Sequence, residues 1–139
     1  MLDSICPPSG YFDPDHFMYY EDLDLGWRAR LAGWTAIYVP ASSVRHKWHG
    51  STERYGERWL VIKLNTNRVR VLVKNASLGM LVRTARRTAH DAIEIGRLRG
   101  LRALAKLVHA VVRGLPARRR VGRMAKRRRA EVERAWVGR

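Results

Sequence analysis

Three carboxylates open the stretch that most constrains this chain. Glu21, Asp22 and Asp24 follow the aromatic residues Phe17, Tyr19 and Tyr20, and Leu23, Trp27 and Leu31 then recur every four residues. That interval puts the three apolar side chains on one helix face, with Leu25 and Ala29 filling the neighbouring stripe. The spacing predicts a helix over 22–32, entered through acids and stopped by Gly33. Acids in a first turn are favoured by unpaired N–H groups and the helix dipole, which fixes a carboxylate in place. Two roles stay open for it. A fixed carboxylate beside aromatic side chains can act as a general base. Alternatively, Asp22 and Asp24 only cap the helix, with Asp24 pairing to Arg28 four residues on.

Beyond Gly33 the run Trp34-Thr35-Ala36-Ile37-Tyr38-Val39-Pro40 is rich in aromatic and β-branched residues and closed by a proline, which predicts a short buried strand over 34–39. A second extended piece, 42–48, delivers His46 ahead of His49-Gly50-Ser51. In this order the parts are an aromatic loop ending in Glu-Asp, a helix with Asp-Leu and Arg, Gly-Trp, a strand ending in Val-Pro, and a His before Gly-Ser. The order resembles the second half of the catalytic domain of family 2 glycosyltransferases, enzymes of the GT-A fold, and among them bacterial rhamnosyl- and galactofuranosyl-transferase-like members. The resemblance covers residues 10–75.

The resemblance implies an α/β chain: a partial GT-A (Rossmann-like) catalytic half without its nucleotide-binding strands, followed by a mainly α-helical basic C-terminal region. Asp22 matches the family's catalytic base, with Glu21 beside it. His46 matches a histidine that helps hold the divalent metal, magnesium or manganese, on the donor's diphosphate. Asp24, Trp48, His49 and Ser51 fall with the substrate-binding group. Asn67-Arg68 resembles a helix start further on, although Thr66 replaces the family's usual arginine. The implied reaction is inverting transfer of a sugar from a nucleotide-sugar donor to a glycan or lipid-linked acceptor, in cell-wall or surface polysaccharide synthesis.

The nucleotide-binding half is not found before Gly10. Residues 1–9 are a short remnant ending in Pro7-Pro8, and neither Asp13-Pro14-Asp15 nor Asp22-Leu23-Asp24 replaces the family's metal-binding Asp-x-Asp. A diphosphate site needs carboxylates at the end of a buried strand facing backbone donors, and Asp13 and Asp15 instead flank a proline in a turn. The Asp22 run also lacks the later ligands of a calcium loop. His46 and His49 sit three apart in an extended segment and so face opposite ways, which excludes both from one ion.

Cys6 is the only cysteine, so there is neither an internal disulfide nor a cysteine-based zinc site. No apolar run approaches the ~20 residues that span a bilayer, and no signal peptide opens the chain. Charge is divided: residues 1–60 hold six Lys/Arg against eight Asp/Glu and the remainder twenty-two against four, for a net +16. From Gly56 the pattern is helical, with further amphipathic stretches over 78–95 and 98–115. In the last, Leu101, Leu104, Val108, Val111, Val112 and Leu115 follow the helical period, and Pro116 is expected to end it. Arg97, Arg102, Lys106, Arg113, Arg118, Arg119 and Arg120 then read as a membrane-surface group, since cations near an anionic leaflet contribute about 1 kcal/mol each. Nucleic acid fits less well, because the tail has no aromatic interleaving beyond Trp136 and no RRM or KH signature.

Residues 76–139 are accordingly expected to be a basic helical extension. The chain is expected to be cytoplasmic and peripheral at the inner face of the membrane. Three readings compete: a truncated transferase half, a subunit completed by another chain, and a non-catalytic basic module on anionic membrane or nucleic acid.

Overall fold

The computed structural model describes residues 2–5, 10–45 and 55–137. Among them are six helices: α1 (Leu2–Ile5), α2 (Glu21–Leu31), α3 (Gly56–Asn75), α4 (Leu78–Arg99), α5 (Leu101–Met124) and α6 (Arg129–Val137). No strand or sheet occurs among the described residues, so the expected α/β fold with a Rossmann-like half is overturned. The residues expected to form a buried strand have no regular secondary structure and are turned to solvent, with Ile37 83% and Tyr38 86% exposed. Strand propensity is realised only when a second strand completes the ladder, and none is present among the described residues.

Helix α3 is the centre of the packing. Its Val69 meets Ile95 of α4 and Ala103, Leu107 and Ala110 of α5 in one cluster. Its Val71, with Ala76 just beyond its end, joins Trp27 and Leu31 of α2, Val121 of α5 and Val132 of α6 in a second. Trp136 closes that cluster edge-on against Trp27, ring centres 5.7 Å apart, with the Arg30 guanidinium over its outer face at 5.1 Å.

Helix ends are fixed by specific bonds. Gly33 takes φ +93° after α2, and Leu31 O accepts from the N–H groups of Lys126 and Arg127 at 2.8 and 3.0 Å, tying the α5–α6 link to that end. Ser77 caps α4 by accepting from Met80 N–H at 3.1 Å, and its own hydroxyl donates to Glu133 at 2.6 Å. Arg118 donates to Val73 O at 2.9 Å and Ala76 O at 2.6 Å, satisfying carbonyls at the end of α3. Of the expected membrane-surface group, Arg118 is thus turned inward to internal work.

One expectation for α5 is corrected. Pro116 does not end it; the proline lies on the exposed side, where the carbonyl one turn back loses its N–H partner to water rather than to a dry interior. Its packed face is made of Ala103, Leu107, Ala110, Gly114, Ala117 and Val121. At about 100° per residue, the opposite side is a ridge of Leu101, Val108, Val112 and Leu115, each more than half exposed. Small residues let α5 approach α3 closely: a Cβ added to Gly114 would lie 2.8 Å from Val73 Cγ1. Gly114→Val is expected to cost about 1–3 kcal/mol through this overlap, read as a lowered urea midpoint, whereas an unchanged midpoint would mean the helices part freely.

Candidate functional site

The site is built on a buried ionic layer between the loop at residues 10–20, α2 and α3. The Asp13 carboxylate accepts from Arg70 Nη2 at 3.1 Å and Lys74 Nζ at 2.8 Å. Lys74 also pairs with Asp24 at 2.7 Å, and Asp24 accepts from Arg28 Nε at 2.9 Å and Asn75 Nδ2 at 2.8 Å. Arg28 goes on to donate to Ile5 O, and to Tyr11 O at 2.7 Å, while Arg70 also meets Asp15 at 2.6 Å. Three carboxylates thus balance three cations, which is how charge survives burial. Burial by itself would raise the Asp13 carboxyl, but Lys74 and Arg70 outweigh it and hold it well below the usual carboxylate range.

His16 sits in the same layer, fully buried, with both ring nitrogens lacking a partner. Burial pushes its imidazole down to about 4, and Lys74 and Arg70 push the same way against Asp24 and Asp13. The folded imidazole is therefore neutral where an unfolded one, titrating at 6.5, takes up a proton. Its contribution to stability is full above 6.5 and is lost as pH falls towards about 4. For Asp13 the contribution is full above 3.8 and lost only as pH falls further. The urea midpoint is expected to drop between neutral pH and the lower end of the histidine window, and His16→Phe should flatten that drop; parallel pH profiles would remove His16 as its source.

Above this layer the backbone is strained. Phe17, Tyr19 and Tyr20 all have left-handed conformations, with φ of 57°, 68° and 68°. Side chains with a Cβ occupy this region sparingly, and a run of such residues persists only where the surroundings impose it. Here the buried Asn67 imposes it: its Nδ2 donates to His16 O at 3.0 Å, Met18 O at 2.7 Å and Tyr19 O at 2.8 Å. The turn delivers Tyr20 as the N-cap of α2, and Glu21 and Asp22 as its first residues. Asp22 is exposed, and its Oδ1 accepts from Leu23 N–H at 2.7 Å, at the positive end of the helix. Glu21 is half-buried, with Oε2 enclosed and unpartnered.

Beside the turn lies an aromatic cleft of about 730 Å³ between α3 and α5. Tyr55 and Trp59 stack with ring centres 4.3 Å apart, and Phe17 stands edge-on to both. Lys63, on the same wall, donates to Asp15 O at 3.2 Å. Burial lowers its amine, and the charges of Asp15 and Glu21 oppose that shift, so Glu21 and the cleft share one electrostatic neighbourhood.

Of the residues singled out in the sequence, Glu21 and Asp22 come together at an open helix start. Asp24 is fully buried in the ionic layer, its oxygens taken by Arg28, Lys74 and Asn75. His46, Trp48, His49 and Ser51 lie outside the described residues. Among the described residues no group of three His, Cys, Asp or Glu is placed to hold a metal, and the Asp13 and Asp24 carboxylates are already neutralised by cations, so these residues do not fit the implied divalent ion. No helix among them is long and apolar enough to cross a membrane.

Sequence reasoning missed Asn67, Arg70, Lys74 and His16 as builders of the site, and Tyr55 and Trp59 as its aromatic wall. A signal existed: Asn67, Arg70 and Lys74 recur at i, i+3 and i+7, one continuous polar face of α3.

Comparison with known proteins adds a second line. The N-acetylglucosaminyl-diphospho-decaprenol L-rhamnosyltransferases of two Mycobacterium tuberculosis strains are each 51% identical to this chain over 45 residues, which is 32% of the chain. Part of the chain is related to a glycosyltransferase. That stretch spans 15% of the length of those relatives. No protein-family model matches the chain, and no solved structure does.

Proposed function

We propose that the chain forms the acceptor side of an inverting glycosyltransferase and that Asp22 is its base. The acceptor's hydroxyl oxygen bonds to the anomeric carbon of a nucleotide-activated sugar while the bond from that carbon to the phosphate oxygen breaks on the opposite face. The nucleotide diphosphate departs with the electron pair, and the hydroxyl proton passes to the Asp22 carboxylate. The observation that carries this reading is the open Asp22 carboxylate at the start of α2, aimed by a strained turn that Asn67 clamps. Strain held by the surrounding fold is characteristic of working sites. The local identity to rhamnosyltransferases supports a sugar donor such as activated rhamnose and a lipid-linked diphosphate acceptor.

In this reading the nucleotide is held outside the described residues, by a further segment or a complementing subunit. The outward ridge of α5, flanked by Arg102, Lys106 and Arg113 on one side, and the exposed Arg97, Arg119 and Arg120 support contact with an anionic membrane surface carrying the acceptor. The same ridge favours the second reading, a non-catalytic membrane module.

Sugar transfer separates the two. The chain, combined with a nucleotide-binding half and given nucleotide-activated rhamnose and a lipid-linked diphospho-N-acetylglucosamine, is expected to yield product of inverted anomeric configuration. Retained configuration excludes the proposed mechanism, and no transfer by the combined preparation leaves the membrane module.

A further inference from the structure

We propose that the cleft between α3 and α5 binds an amphiphilic phosphate, an isoprenoid chain against its apolar wall and the phosphate or diphosphate group against Lys63, Lys106 and His109. This rests on the acceptor-side reading and names where the lipid-linked part of such an acceptor sits. At about 730 Å³ the cleft has the size of a small-molecule site. Its apolar surface comes from Phe17, Tyr55, Trp59, Ile62 and Ala105, and its charged lining residues are Lys63 and Lys106, joined by His109, with no carboxylate among them. An apolar wall whose charged lining is cationic complements a ligand that is greasy along its length and strongly negative at one end.

Three further observations favour that ligand. Tyr55 and Trp59 are already stacked on each other at 4.3 Å, so no slot between them admits a nucleobase, and an alkyl chain needs only their outer faces. Lys63 is partly desolvated, so an arriving phosphate restores the stabilisation its ammonium group has lost to burial. Ala105, on the cleft wall, lies on α5 between the exposed ridge of Leu101, Val108 and Val112 and the basic flank of Arg102, Lys106, His109 and Arg113. A chain longer than the cleft can therefore leave along an apolar path with cations beside it. A free nucleotide would have no use for that path.

The test is calorimetric titration of the full chain with farnesyl diphosphate below its aggregation threshold. Farnesyl diphosphate is expected to bind at least about tenfold more tightly than inorganic pyrophosphate or farnesol, because each lacks one half of the complement, and one charge-assisted contact alone is worth about tenfold. Lys63→Gln with Lys106→Gln is expected to weaken binding at least about tenfold, and Arg83→Gln, an exposed cation on α4, to leave it unchanged. Should the double variant fail to fold, Lys106→Gln alone, at an exposed position, gives the same readout.

Equal affinity for pyrophosphate, or tighter binding of adenosine diphosphate, overturns the proposal. So does full displacement by phosphatidylglycerol vesicles, which would make the cleft a general headgroup site. Binding without any sugar transfer supports this site while removing the enzymatic reading. Transfer that continues with unchanged KM for the lipid acceptor in the lysine variants removes this site alone.

Discussion

Asp24→Ala is expected to destabilise the chain by about 3–5 kcal/mol, the cost of removing one partner from a buried ion pair. Its carboxylate accepts from Arg28 at 2.9 Å, Lys74 at 2.7 Å and Asn75 at 2.8 Å, and its side chain is fully enclosed. Without it, Arg28 loses its carboxylate partner and three buried cations, Arg28, Arg70 and Lys74, share the two carboxylates of Asp13 and Asp15. A loss of that size is a large share of the ~5–15 kcal/mol that holds a domain together, so the variant should be largely unfolded at temperatures where the parent is folded. Urea denaturation followed by far-ultraviolet circular dichroism reads the effect directly. A loss below about 1 kcal/mol would mean that water reaches this layer and that the pairs behave as surface ones.

Asp22→Asn is expected to have the opposite profile. The side chain is exposed and accepts from the neighbouring Leu23 N–H, so the urea midpoint should move little. Turnover by the combined preparation should fall by about 10²–10⁴-fold, the usual contribution of a positioned base, with the KM for the donor nearly unchanged. Asn keeps the shape of the side chain and its bond to Leu23 but cannot take up the proton. If turnover stays within about threefold of the parent, Asp22 is not the base, and Glu21→Gln becomes the next variant to assay. The contrast between positions 22 and 24 is the strongest internal control: two acids of one helical turn, one expected to govern rate and the other folding.

The sequence made the local features readable. Leu23, Trp27 and Leu31 marked the inward face of α2, Gly33 its end, and the Asp24–Arg28 pair lies at the four-residue spacing that suggested it. What escaped depends on partners distant along the chain. The aromatic and β-branched run at 34–39 has the propensity of a strand, yet pairing is decided by another segment, and the described residues offer none. Helix α5 has two apolar faces, and periodicity weighted the larger side chains, whereas close approach to α3 selected the smaller ones around Gly114. Spacing alone does not tell Arg70 and Lys74 from solvated flanks, because the carboxylates that justify their burial lie on other elements: Asp13, 57 and 61 residues away, and Asp24. Pro116 passed for a terminator because its cost depends on whether the freed carbonyl meets water.

Asn67 carries a consequence for how the acidic helix start comes into being. One amide group in the middle of α3 grips three carbonyls of a single turn, on residues 48 to 51 positions earlier. A short peptide copying the acidic segment would therefore possess the carboxylate but not its aim. Orientation arrives only when the two distant pieces dock, so any competence for chemistry is acquired in the same cooperative event as the fold itself.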